Sequence, residues 1–146
     1  MVGFVLTGHG KFASGLGSAI DMVAGDQPAF RIVPFEVSAA ATYGSDLRSA
    51  IAEMRAECEG VIVFVDLLGG TPFNQAMMIS QDIADVEIVT GTNLPMLIEL
   101  LLTRGSGSPI GELVAQALAV GKAGIDHKQI TADSDGDGFD EDEDGI

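Results

Sequence analysis

Short apolar runs alternate along this chain with stretches in which apolar residues recur every three or four positions. The runs are Val2 to Leu6, Phe30 to Phe35, Val61 to Val65 and Val86 to Val89. Their length and β-branched content predict strands. The first and third are continuously apolar, as strands are when both faces of a parallel sheet are covered. Between the runs, Phe12, Leu16, Ala19, Ile20 and Val23 repeat at helical spacing and stop at Gly25. Leu47, Ile51, Met54 and Cys58 mark a second helix that ends before Gly60. A third helix is expected to start at Thr71-Pro72 and run through Ala76 and Ile79. A fourth follows Pro95 with Met96, Leu97, Leu100 and Leu101, and a fifth covers Ile110 to Val120. The Met and Leu stripes read as core faces.

The order βαβαβαβα, then a last helix, predicts an α/β fold. It is a three-layer sandwich with a mainly parallel central sheet, helices on both faces and right-handed crossovers. Arg104 to Pro109, rich in Gly and Ser, reads as a connector. Residues 1–130 form one domain, and residues 131–146 read as an acidic, disordered tail, charged and nearly devoid of apolar groups.

Charge sharpens the division. The net charge is −15, but Asp133 to Asp144 holds eight of the 22 acids and no base, leaving 14 acids against 7 bases in the body. An acidic body lacks the basic stripe that a phosphate-backbone binder needs, so nucleic acid and anionic membrane are excluded as partners. No apolar run reaches the roughly 18 residues that span a bilayer. No basic-then-apolar leader opens the chain, so a cytoplasmic protein without direct membrane insertion is expected. Cys58 is the sole cysteine, which rules out an intrachain disulfide and a thiolate cluster. Within the tail, Asp133, Asp135, Asp137, Gly138 and Asp144 match a calcium-loop spacing with Asp for the final Glu. Asp140 stands where such a loop takes an apolar residue and no exit helix follows, so a solvated tail is the favoured reading.

Two segments carry candidate chemistry. The first strand leads into Gly8-His9-Gly10, which puts an imidazole at the carboxyl end of a strand, where parallel α/β sheets build their sites. The flanking glycines leave room for a bulky group to approach the ring. The third strand delivers Asp66, and Leu67-Leu68-Gly69-Gly70 then turns into the helix at Thr71. Thr71 is expected to be the N-cap and Pro72 the first helical residue, presenting backbone N–H groups and a dipole end to an anion. Each segment alone is also an ordinary βα turn, with His9 an incidental surface ring and Asp66 a loop cap. Together, a carboxylate that fixes the tautomer of His9 leaves the second ring nitrogen as nucleophile. Imidazole, orienting carboxylate and anion-binding helix end suggest phosphoryl transfer through phosphohistidine. Thr90-Gly-Thr92-Asn93-Leu-Pro95 ends the fourth strand at the same edge, where Thr92 and Asn93 either line the cleft or cap a helix.

The segments Thr-Gly-His9-Gly-x-Phe-Ala-Ser-Gly, Asp66-Leu-Leu-Gly-Gly-Thr-Pro-Phe-Asn74 and Thr90-Gly-Thr-Asn-Leu-Pro95 occur here in fixed order. Together they resemble the IIA component of the mannose family of the bacterial phosphoenolpyruvate:sugar phosphotransferase system (PTS), from Met1 to about Ile125. The Thr-Gly-His-Gly form and the acidic Asp-Gly-Ile ending are more similar to the N-acetylgalactosamine/galactosamine branch than to the mannose branch. The resemblance implies that His9 is phosphorylated and that Asp66 orients it. It also implies that Gly70 and Thr71 bind the phosphoryl group. The partners it implies are the carrier HPr, a cognate IIB component and, indirectly, membrane IIC and IID components. It implies a homodimer in which a carboxyl-terminal strand, at about Gly124 to Ile130, crosses to the other subunit. His127 falls there and reads as structural or exposed. No motif requires a metal or a cofactor. Two rivals remain: a regulatory phospho-module, and the phosphoryl-donor subunit of dihydroxyacetone kinase, which the Asp66 to Asn74 segment fits less well.

Overall fold

The computed structural model describes residues 1–131. The acidic tail, with its calcium-like spacing, lies outside the described residues apart from Thr131. The elements are β1 (Gly3–His9), α1 (Phe12–Ala24), β2 (Phe30–Phe35), α2 (Tyr43–Glu57), β3 (Val61–Phe64), α3 (Gly70–Asp82), β4 (Val86–Val89), α4 (Leu94–Thr103) and α5 (Ile110–Ala123). A single 3-10 turn at Val37–Ala39 separates β2 from α2.

The four strands form one parallel sheet in the order β2-β1-β3-β4. Side chains alternate across the strands and so build two cores. On one face Phe4 and Leu6 of β1 and Ile62 and Phe64 of β3 pack with Ile20 of α1, Leu97 and Leu100 of α4 and Leu113 of α5. On the other face Val5, Val61 and Val63 pack with Leu47, Ile51 and Met54 of α2 and Ala76 and Ile79 of α3. Covering on both faces accounts for the continuous apolar runs of β1 and β3, and it establishes the sandwich expected from the element order. The edge strands are more exposed. β2 tolerates Pro34 there because an outer edge needs no N–H.

β1 runs three residues further than the apolar pattern suggests. Thr7 pairs with Val33, Gly8 with Pro34 and His9 with Phe35, so His9 is the last ladder residue rather than part of a turn. The chain passes from β1 outward to β2 but from β3 in the opposite direction to β4. The carboxyl ends of β1 and β3 therefore flank the switch point of the sheet, the crevice where open parallel sheets bind ligands.

The amino end of the sheet is fastened differently. Arg104, in the segment read as a connector, is buried, and its guanidinium donates hydrogen bonds to the carbonyls of Val2, Ala29 and Pro28. It also lies 4.4 Å from the centroid of the Phe4 ring, a cation–π contact. Burial lowers its pKa from the usual guanidinium value.

Residues 125–131 carry no helix or strand within the chain, and His127 is exposed.

Candidate functional site

β1 and β3 are neighbours in register, so the residues that follow them meet at the crevice. His9 ends β1, and Asp66 lies two residues beyond β3. Oδ2 of Asp66 accepts the main-chain N–H of His9 at 2.9 Å and lies 2.7 Å from its Nδ1. Oδ1 accepts the N–H of Leu67 at 2.9 Å. A carboxylate only accepts, so Nδ1 carries the ring proton in the neutral imidazole, a tautomer inferred from the network. The lone pair of Nε2 is thereby left available, and Nε2 makes no hydrogen bond among the described residues. Burial pushes the Asp66 carboxyl up, but the His9 N–H, the ring and the Leu67 N–H outweigh it, leaving the group below its ordinary value. The Asp66 side chain is 10% exposed and that of His9 46%, so a sheltered anion holds an open ring.

The glycines around the ring have separate tasks. A Cβ on Gly8 would stand 2.5 Å from Phe12 Cδ1 and 3.0 Å from Asp66 Cγ. The room at Gly8 is thus filled by the protein's own side chains, not by an incoming group. A Cβ on Gly70 would stand 3.0 Å from Cε1 and 3.1 Å from Nε2 of His9. Helix α3 can begin against the imidazole only because that side chain is missing.

The start of α3 corrects one expectation. The helix begins at Gly70, the cap position falls on Gly69, and no side chain caps it, so Thr71 is not the N-cap and Pro72 is not the first helical residue. Gly69 and Gly70, at φ 99° and 81°, turn the backbone a residue early and take over the role expected of a capping side chain. Thr71 stands exposed in the first turn, with its hydroxyl unbonded among the described residues. At the third edge segment both open questions resolve as structural. The Asn93 side chain caps α4 by accepting the Met96 N–H at 3.1 Å and donates to the Gly121 carbonyl. Buried Thr92 donates to the Val65 carbonyl at 2.8 Å.

A second layer lies behind His9 that the motifs did not reveal. The Phe35 ring packs edge-to-face on His9, with centroids 5.8 Å apart, and the Tyr43 ring packs on Phe35 at 4.6 Å. The Tyr43 hydroxyl and the Thr7 hydroxyl, both buried, lie 2.6 Å apart. Burial pushes the Tyr43 phenol up to about 12; the Thr7 bond opposes that and the negative Asp66 adds to it. Leu67 and Leu68, in the loop after Asp66, and Val37, in the 3-10 turn after β2, are exposed. Among the described residues no three His, Cys, Asp or Glu side chains converge as metal ligands. No described helix is long and apolar enough to cross a membrane.

Fold and site define a small α/β domain that presents one oriented imidazole at the switch point of its sheet. The family model described as PTS system fructose IIA component (EIIA-man) matches residues 3–118, and the chain belongs to this family. It is 32% identical over 130 residues to the PTS system mannose-specific EIIAB component of Escherichia coli K12, an overlap of 85% of this chain. The chain spans only 38% of the length of that relative. It is 30% identical over 105 residues to the PTS system fructose-specific EIIA component of Bacillus subtilis, covering 71% of each. A crystal structure of phosphotransferase system component EIIA from Streptococcus agalactiae superposes with a TM-score of 0.76 at 29% identity, over 87% of this chain and 97% of that one.

Proposed function

We propose that this domain is a phosphoryl carrier. It accepts phosphate from the phosphohistidine of HPr on Nε2 of His9 and passes it to a cognate IIB component, which serves sugar uptake through membrane IIC and IID components. The observation that carries this reading is the 2.7 Å contact between His9 Nδ1 and Asp66 Oδ2, which leaves Nε2 open beside Gly70.

In the transfer, the Nε2 lone pair attacks phosphorus in line, the N–P bond of the donor breaks, and the donor imidazole departs with that electron pair. The Nδ1 proton stays on His9, and the Asp66 carboxylate offsets the positive charge the ring gains as the new N–P bond forms. The N–H groups at the first turn of α3 and the Thr71 hydroxyl receive the phosphoryl oxygens; Pro72 contributes none. The same steps in reverse deliver the group to IIB.

The Thr-Gly-His9-Gly form supports an amino sugar such as N-acetylgalactosamine as the transported sugar; mannose, fructose and sorbose are the alternatives. The subunits pair as a cytoplasmic homodimer with residues 124–130 exchanged. Support for that pairing comes from the outer edge of β4, which no described strand covers, and from exposed Ile125 and Ile130.

Incubation with phosphoenolpyruvate, the first enzyme of the pathway and HPr tests the reading. One acid-labile, base-stable phosphate on His9 is expected. Label retained in His9→Ala, or carried by His127, overturns it.

A further inference from the structure

We propose that Phe35 is a positioning residue for His9, holding the imidazole in its transfer-ready orientation from a footing provided by Tyr43 and Thr7. The inference rests on His9 being the phosphorylated residue and adds how its ring is aimed.

The Asp66 bond fixes the place of Nδ1 but not the tilt of the ring. Histidine χ2 is a broad, roughly twofold torsion, and a hydrogen bond keeps most of its strength over some tens of degrees. In-line attack by Nε2 is less forgiving, because the lone pair must point along the bond that forms. A second contact is needed to set the tilt, and Phe35 supplies one. It is the ladder partner of His9 in β2, and its carbonyl accepts the Gly10 N–H at 2.8 Å, so its backbone is fixed on the side where the chain leaves His9. Its ring meets the imidazole with an interplanar angle of 70°.

Phe35 is itself held. Tyr43, at the first residue of α2, tilts against it at 47°, and the hydroxyl of Tyr43 is tied to Thr7, two residues before His9 on the same strand. The series His9, Phe35, Tyr43, Thr7 therefore closes on β1, joining the ring to its own strand through two other elements. A closed series of this kind resists rotation of the imidazole, whereas an apolar side chain of similar bulk would only fill space. Gly70 bounds the ring on the helix side.

The test separates aiming from folding and from partner docking. In Phe35→Leu, the maximal rate of phosphorylation from phospho-HPr is expected to fall about 2- to 13-fold, the worth of an edge-to-face pair expressed as a rate. The KM for phospho-HPr stays as in the wild type. Nuclear Overhauser contacts between the His9 ring and the Gly70 Hα protons weaken in the unphosphorylated variant, because the imidazole samples a wider range of tilt. Phe35→Tyr, which keeps the ring, restores both readouts. A wild-type rate and wild-type His9–Gly70 contacts in a folded Phe35→Leu protein overturn the proposal, and so does a rise in KM alone, which marks a docking residue. If Phe35→Leu does not fold, Tyr43→Phe carries the test, because it keeps both rings and removes only the tie to Thr7. Weakened His9–Gly70 contacts in that variant support the proposal, and unchanged contacts overturn it. Should wild-type His9 accept no phosphate at all, the carrier reading fails in the transfer assay while the His9–Gly70 contacts still report on Phe35.

Discussion

One oxygen of Asp66 holds His9 twice, through the main-chain N–H at 2.9 Å and the ring Nδ1 at 2.7 Å. The carboxylate is thus a fixture of the strand end as well as a partner of the ring. Asp66→Asn keeps the volume but removes the charge, and its amide presents an N–H where the ring needs an acceptor. Phosphorylation from HPr is expected to slow by roughly 10- to 1000-fold, or about 1.4–4 kcal/mol of barrier. Rapid-quench measurement checks this, and wild-type kinetics in a folded variant would reduce Asp66 to a loop cap.

The same contacts make stability depend on pH. The Asp66 pKa is depressed in the folded chain relative to the ordinary value of 3.8. Its ionised form therefore stabilises the fold above that value, and the contribution is lost as pH falls through the lower folded value. Urea unfolding of the wild type and Asp66→Asn across acidic pH should show a gap that is constant near neutrality and closes at the acid end. A gap unchanged down to the most acid point would contradict the assignment.

Gly70→Ala tests the third boundary of the ring. Its Cβ would crowd the imidazole at about 3 Å, on a backbone with φ of 81°. A non-glycine residue in such a conformation costs about 1–3 kcal/mol. A lowered melting temperature is expected, with phosphoryl acceptance reduced beyond what the loss of folded protein accounts for. Circular dichroism alongside the transfer assay distinguishes the two.

How much of this was legible beforehand follows from how local each signal is. The strands that deliver His9 and Asp66 are written as continuous apolar runs, and Gly-Gly before Thr-Pro marks the turn into α3. The pairing of Thr7 with Tyr43 spans 36 positions and follows no spacing rule. Arg104 reads as a loop charge until the fold brings Val2, Pro28 and Ala29 around it. Helix α5 runs past Val120 to Ala123 and carries Gly121 buried within it, where a Cβ would lie 2.6 Å from Met96 Cε. In sequence that glycine looks like a stop. Thr71 reads as a cap in sequence because two consecutive left-handed glycines, which turn the chain without a side chain, carry no capping signal of their own.

Arg104 yields a prediction of the opposite kind. It fastens the amino end of the sheet, while His9 stands at the carboxyl end. Arg104→Met removes the side-chain donor from the Val2 and Pro28 carbonyls and one of the two donors from the Ala29 carbonyl, and is expected to cost about 1–3 kcal/mol in urea unfolding. The phosphorylation rate of the folded fraction should not change. A stable variant with impaired transfer would place Arg104 in the functional machinery after all.

The crevice between β1 and β3 has one further consequence, a matter of traffic. His9 offers a single free nitrogen at a single mouth, bounded by Phe35 on the strand side and Gly70 on the helix side. On the carrier reading, a protein delivering a phosphoryl group and a protein collecting it must stand in the same place, so each has to leave before the other arrives. Such a domain keeps no ternary complex and works as a relay baton, its throughput set by the exchange of visitors. Initial rates measured against both partners should give the parallel lines of a ping-pong scheme, with each partner inhibiting at high concentration by occupying the other's turn.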